Sequence, residues 1–149
     1  MAWKIFLIFF LIFITGLILY PCFKKEKKQS QVCFKNHCFS AELALTTEQK
    51  RTGLMFRQGL DKDKGMLVVY EKEGEHSSWM KNVLIPLDII WLSKDKKVVY
   101  IAENCQPCPE LPCPTIRPDK AAKYVFEING GLASEMGLSV GDELEFEIN

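Results

Sequence analysis

The sequence predicts an α+β domain that is predominantly β, a small barrel-like mixed sheet with two short helices, behind an N-terminal membrane helix. Three observations carry this expectation. About eight short runs of alternating or β-branched apolar residues recur between turn residues. Only two stretches, the one after Thr46 and Leu132 to Met136, carry helix signals. Ile5 to Tyr20 is an almost unbroken apolar run, unlike anything later in the chain. The 149 residues therefore divide into 1–23 as a transmembrane anchor or signal segment, 24–30 as a basic polar tether and 31–149 as one globular domain.

The apolar run lies between a signal-peptide core of roughly 7–15 residues and a membrane span of roughly 17–25. No small-x-small cleavage site follows it. Pro21 makes Leu19-Tyr20-Pro21-Cys22 a poor lipoprotein box. An uncleaved anchor is the expectation, with lipidation at Cys22 as the alternative. Lys24, Lys25, Lys27 and Lys28 follow the span and favour a cytoplasmic domain. Six cysteines favour an oxidising compartment, and the organised cysteine spacing decides for the extracytoplasmic side. From Gln31 onward, 14 Lys/Arg stand against 18 Asp/Glu, a net charge of −4. Phosphate binding needs a basic face, so nucleic acid is set aside as a partner.

Val32 to Phe34 and Phe39 to Leu45 read as two strands around a Lys35-Asn36-His37 turn. Cys33 and Cys38 flank that turn and suit a cross-hairpin disulfide. A metal site would use the same two cysteines with His37, but no second Cys-His pair completes it. Thr46 or Thr47 caps a helix with Gln49 at its third position, and Gly53 weakens its end. Met66 to Tyr70 is a buried strand, and Glu71 to His76 an exposed turn at Gly74 that leaves His76 solvated. Ser77 to Lys81 is a strand, and Pro86 makes Asn82 to Pro86 irregular. Leu87 to Leu92 and Lys97 to Ala102 form a hairpin across Ser93 to Lys96.

Glu103 to Ala122 has no periodicity and holds five prolines and three cysteines. A loop this long is functional or cross-linked. Cys108 and Cys113 can close it, while Cys105-x-x-Cys108 lacks the helix that would stabilise a redox thiolate, and Cys105 stays unassigned. Tyr124 to Ile128 is a strand, Asn129-Gly130-Gly131 turns into the helix Leu132 to Met136, and Glu143 to Ile148 closes the chain with Leu144, Phe146 and Ile148 inward.

Four of these segments together resemble a known family. Lys50 to Arg57 is similar to its R-x-x-GLM-x-R opening, and Gly65-Met66-Leu67 to its GML strand. Trp79-Met80-Lys81-Asn82 with Ile85-Pro86-Leu87-Asp88 resembles its WMKNT-x-IPLD core. Tyr124 to Asp142 resembles its closing block ending in VGD. The chain is thus identified as a member of the domain-of-unknown-function 192 family from Phe39 to its end. The resemblance implies a small β-rich domain, often exported or membrane-tethered, and no assigned reaction. Val83 stands where the family usually has Thr. A pair matching Cys108 and Cys113 occurs in some members.

The candidate ligand-binding residues are Arg51, Met55, Arg57, Trp79, Met80, Lys81, Asn82 and Asp88. Asp88 lies in a run of Ile, Leu and Trp, where an acid is rarely buried unpaired. Lys81, Arg51 and Arg57 are its expected partners, with Trp79 and Met55 as apolar walls. Each residue also has a structural explanation: Asp88 as a backbone cap, Trp79 and Met80 as core, Asn82 as a left-handed turn. No catalytic or metal-ligating residue is assigned, and no cofactor is expected. The expected function is a membrane-tethered extracytoplasmic domain that binds a small ligand or an envelope protein. The alternatives are an enzyme using Asp88, Lys81 and Arg51, and a cysteine-dependent redox or metal protein.

Overall fold

The computed structural model describes residues 28–148, so the expected N-terminal membrane helix lies outside the described residues. Among the described residues no helix is long and apolar enough to cross a membrane. The alternation around Phe39 to Leu45 becomes β2 (His37–Ala44), which pairs antiparallel with β1 (Gln29–Phe34). β1 starts within the expected tether, because Lys28 already accepts the Leu43 amide at 2.8 Å. Cys33 and Cys38 face each other across the hairpin with Cα atoms 4.1 Å apart and form a disulfide.

The helix α1 (Thr47–Thr52) follows with the expected capping box: Gln49 N–H donates to Thr46 Oγ1, and Thr46 N–H to Gln49 Oε1. β3 (Lys64–Gly74) then runs parallel to β2. It is twice the length expected of Met66 to Tyr70, because its charged end still reaches β8 at Ala122. Gly65 is required by packing: a Cβ there would lie 2.8 Å from the Glu127 carbonyl and the Phe126 ring. β4 (Ser78–Trp79) is a two-residue piece, shorter than the expected strand, and pairs with β7 (Thr115–Ile116) inside the proline-rich loop.

β5 (Leu87–Leu92) is buried throughout and flanked by β6 (Val98–Cys105) and β8 (Ala122–Asn129). The helix α2 (Leu132–Met136) lies where the Gly130-Gly131 turn places it. The last strand, β9 (Glu145–Phe146), is shorter than expected, and Ile148 is exposed. The main sheet runs β6-β5-β8-β3-β2-β1-β9 and curls into a half-barrel. Its ends approach where Leu144 N–H donates to Lys96 O and Gly141 N–H to Val98 O, with one isolated bridge, Lys97–Glu143. No ladder joins β6 to β9 among the described residues, so the barrel-like sheet stays open.

Side-chain alternation gives the sheet two apolar faces. Leu43, Leu67, Ile90, Phe126 and Ile128 fill the inner one with Ala133 and Met136 of α2. Met66, Val68, Leu87, Ile89 and Val125 form the other, covered by Leu54, Met80 and Val83. The second face carries the site.

A cavity over the outer sheet face

The Gly53-Leu54-Met55 turn begins the site. Gly53 ends α1 at φ 48, a backbone that disfavours any side chain. Leu54 then drops into the outer core, and Phe56 N–H donates to Asn82 O at 2.8 Å, tying this turn to the Trp79 to Asn82 segment. Asn82 holds a left-handed turn at φ 57. Its N–H donates to Cys108 O, and Cys108 N–H donates to Met80 O, both at 3.2 Å. The Cys108–Cys113 disulfide, with Cα atoms 5.9 Å apart, therefore holds a loop that docks directly on this segment.

These pieces line an open cavity of about 670 Å³ against the sheet, within the size range of small-ligand pockets. Val68, Leu87, Ile89 and Glu127 come from the sheet, and Leu54, Met80 and Val83 from the cover. Lys50, Arg51, Tyr70, His76 and Trp79 also line it, and Trp79 is 41% exposed. The Tyr70 and His76 rings stack at 3.4 Å between centroids, and Lys50 Nζ lies 5.2 Å from the Tyr70 centroid. Trp91, fully buried, donates from Nε1 to His76 O at 2.6 Å and fixes the residue that carries the stacked imidazole.

Glu127 is the unexpected polar group. It occupies a central strand, paired with Met66 on one side and Ile89 on the other. Burial lifts its carboxyl to about 7, against the partial counter-pull of Arg57. Arg57 itself makes a bidentate pair with Glu42 at 2.6 and 2.8 Å. The Tyr70 hydroxyl is raised by burial and then by the charge of Glu127. The Cys105 thiol is raised by burial, then by Asp88, with a smaller contribution from Glu127. A low-reactivity thiol is the consequence.

The structure divides the sequence-derived candidates. Arg51, Met55, Trp79 and Met80 line the cavity. Arg57 and Met55 line a neighbouring hollow of about 320 Å³ across the Gly53 turn. Lys81, Asn82 and Asp88 line neither. Lys81 instead sets its Nζ 5.2 Å from the Trp79 ring centroid.

Asp88 does not meet Lys81, Arg51 or Arg57. Arg51 pairs with Glu48 at 2.7 Å, and Asp88 points to the inner face beside Ile90. There it is fully buried and accepts three backbone N–H groups: Asn104 at 2.7 Å, Gly131 at 2.9 Å and Ala133 at 2.7 Å. His76, expected to be solvated, is held against Tyr70. Glu127, Tyr70 and His76 were missed as site residues. The available signal was an acid out of phase with Tyr124, Phe126 and Ile128. It becomes informative only once β8 is known to be central. Among the described residues, no group of three or more His, Cys, Asp or Glu could hold a metal ion.

Two solved structures are similar to this chain. A protein of unknown function from Novosphingobium aromaticivorans DSM 12444 is 34% identical, with a TM-score of 0.72 over 85% of this chain and 89% of that one. A candidate transcription regulator from Sinorhizobium meliloti 1021 is 31% identical, with a TM-score of 0.72 over 81% of this chain and 94% of that one. A comparison with curated proteins finds no match. The family model described as DUF192, uncharacterized ACR, matches residues 30–146, and the chain belongs to that family.

Proposed function

We propose that this domain binds a small ligand in the cavity over the outer sheet face. The carrying observation is Glu127, a carboxyl desolvated by the sheet and set beside the apolar walls of a cavity of about 670 Å³. A buried acid costs stability unless something repays it, and a ligand is a natural source of repayment. Tyr70, His76 and Trp79 supply aromatic surface beside it. The other part of the proposal is that the domain works outside the cytoplasm, tethered by its N-terminal apolar run. Two disulfides support this placement, because such bonds persist in oxidising compartments. The name of the Sinorhizobium relative does not carry DNA binding to this chain: from Gln31 onward 18 acidic residues outnumber 14 basic ones.

The test is a thermal-shift screen of the full chain, disulfides intact, against sugars, amino acids, short peptides and organic acids. At least one compound is expected to raise the melting temperature. Glu127→Gln and Trp79→Ala should remain folded and lose that rise. A wild-type protein that no compound stabilises, or variants that respond equally, would remove the reading. A second reading follows from a carboxyl titrating near neutrality, which suits general acid–base chemistry. Mass spectrometry of the recovered compound separates the two, because binding returns it unchanged.

A further inference from the structure

The most exposed large apolar side chains are unevenly placed. Among the described residues they are Phe56 and Leu111, both 67% exposed, Val140 at 65%, Leu84 at 47% and Trp79 at 41%. All but Val140 belong to the layer that covers the outer sheet face. Trp79 precedes Met80 and Leu84 follows Val83, both packed into that face. Phe56 lies two residues after Leu54, which is packed there too, and Leu111 sits in the loop closed by Cys108–Cys113. Backbone bonds join the segments that carry them: Phe56 N–H donates to Asn82 O at 2.8 Å, and Asn82 N–H to Cys108 O at 3.2 Å. Val140 belongs to the opposite side, since Leu138, two residues earlier, packs with α2 on the inner face. Exposed apolar surface gathered on one side of a packed core marks a contact with a protein or a membrane.

The chain enters the domain beside this surface. Gln29, at the start of β1, stands opposite Glu42, whose carboxylate holds the Arg57 guanidinium next to Phe56 at 2.6 and 2.8 Å. The apolar run Ile5 to Tyr20 is separated from that entry by eight residues, 21–28, four of them lysine. At 3.3–3.6 Å per residue they reach at most about 29 Å. We infer that the outer-face cover docks on the membrane that holds the N-terminal run, with Phe56, Leu84 and Leu111 entering the boundary between headgroups and acyl chains. This goes beyond the ligand reading and rests on the tethered placement. Trp79 suits that depth, because an indole is apolar with one polar edge. Lys81, with its Nζ 5.2 Å from the Trp79 ring, can lay its stem on the apolar layer and keep its ammonium among lipid phosphates. Phe56, Leu84 and Leu111 sit on turns and loops, and such side chains suit a fluid lipid surface, which needs no matching pockets.

The experiment reconstitutes the full chain, disulfides intact, in phosphatidylcholine vesicles that carry a photoreactive group near the top of the acyl chain. Mass spectrometry then maps the label. Peptides bearing the N-terminal run, and those bearing Phe56 and Leu84, should be labelled. The peptide bearing Val140 should not, although Val140 is as exposed as Phe56. The double variant Phe56→Asn, Leu84→Ser should keep its melting temperature and the label on the run, and lose the label around both positions. Asn tolerates the φ of 63 at position 56. Label on the run with none at Phe56 and Leu84 overturns the docking and leaves the tether standing. If those side chains are then also shielded from hydroxyl-radical oxidation, a second copy of the chain covers them instead. Label at Val140 equal to that at Phe56 overturns the inference as well. Absence of label even on the run removes the tether, and the docking with it.

Discussion

Asp88 in β5 accepts the backbone N–H of Ala133 at 2.7 Å, so a carboxylate buried in one strand caps a helix 45 residues later. The N-cap residue of α2, Gly131, offers no side chain for that purpose. The first N–H groups of a helix lack internal partners, and its N-terminus favours negative charge. Asp88 answers both needs and also holds the Asn104 amide of β6. The IPLD segment therefore locks three parts of the fold together.

Removing that carboxylate should unfold the protein more easily without changing the cavity. Asp88→Asn keeps the shape, but its amide group presents donors to a set of donors. A loss of about 2–4 kcal/mol is expected from charged hydrogen bonds replaced by unsatisfied N–H groups. Urea denaturation should show a lower midpoint at unchanged slope. Ligand affinity in the folded fraction should match the wild type, because Asp88 faces away from the cavity. A midpoint equal to wild type would reject the capping role.

Glu127 should leave a signature in the pH dependence of stability. Its folded-state pKa of about 7 lies above the ordinary 4.5. Between those values the folded protein holds a proton that the unfolded chain has lost, so stability falls as pH rises through this window. Above pH 7 the penalty is complete, on the order of 3 kcal/mol. Glu127→Gln removes the ionisable group. Without ligand, the variant should melt higher than wild type at pH 8 and alike at pH 4. Arg57→Gln should push the Glu127 midpoint higher still, since Arg57 is the group that restrains it, as a carboxyl-carbon NMR titration would read. Identical wild-type and Glu127→Gln profiles would exclude a desolvated carboxyl.

The two disulfides should differ in what they protect. Each closes a sequence separation of 5, and loop-closure entropy gives about 2 kcal/mol for either. Cys33–Cys38 spans a hairpin already held by β1 and β2. Cys108–Cys113 holds the loop whose backbone meets Met80 and Asn82. Replacing Cys108 and Cys113 with Ser should accelerate hydrogen exchange at the Asn82 amide and weaken binding. Replacing Cys33 and Cys38 should lower global stability and leave Asn82 protected. Equal exchange at Asn82 in both variants would separate the cysteine loop from the site.

Much of this was legible in the chain. Period-two alternation marked β2 and the final strand, because a half-buried strand shows it, and a run of strong β formers marked the fully buried β5. The capping box marked α1, and Gly137 the end of α2, because both are local backbone chemistry. Both cysteine pairs were readable from spacing. The length of β3 was not, since its charged end is held by a partner strand rather than by its own apolar residues.

The sequence by itself determined the β-rich class, the turns and the family, and it singled out the WMKN and GLM segments, which meet at the cavity. These rest on interactions within a few residues, which spacing records. The tertiary structure decided which acid serves which purpose. Asp88 and Glu127 both sit in apolar strands, and nothing local separates them. The sheet turns Asp88 inward to N–H groups from β6 and the α2 turn, and turns Glu127 outward into a cavity roofed by α1 and the Gly53 turn. One carboxylate is held by backbone N–H groups and the other faces the cavity, because strand order and pleat place their neighbours far along the chain.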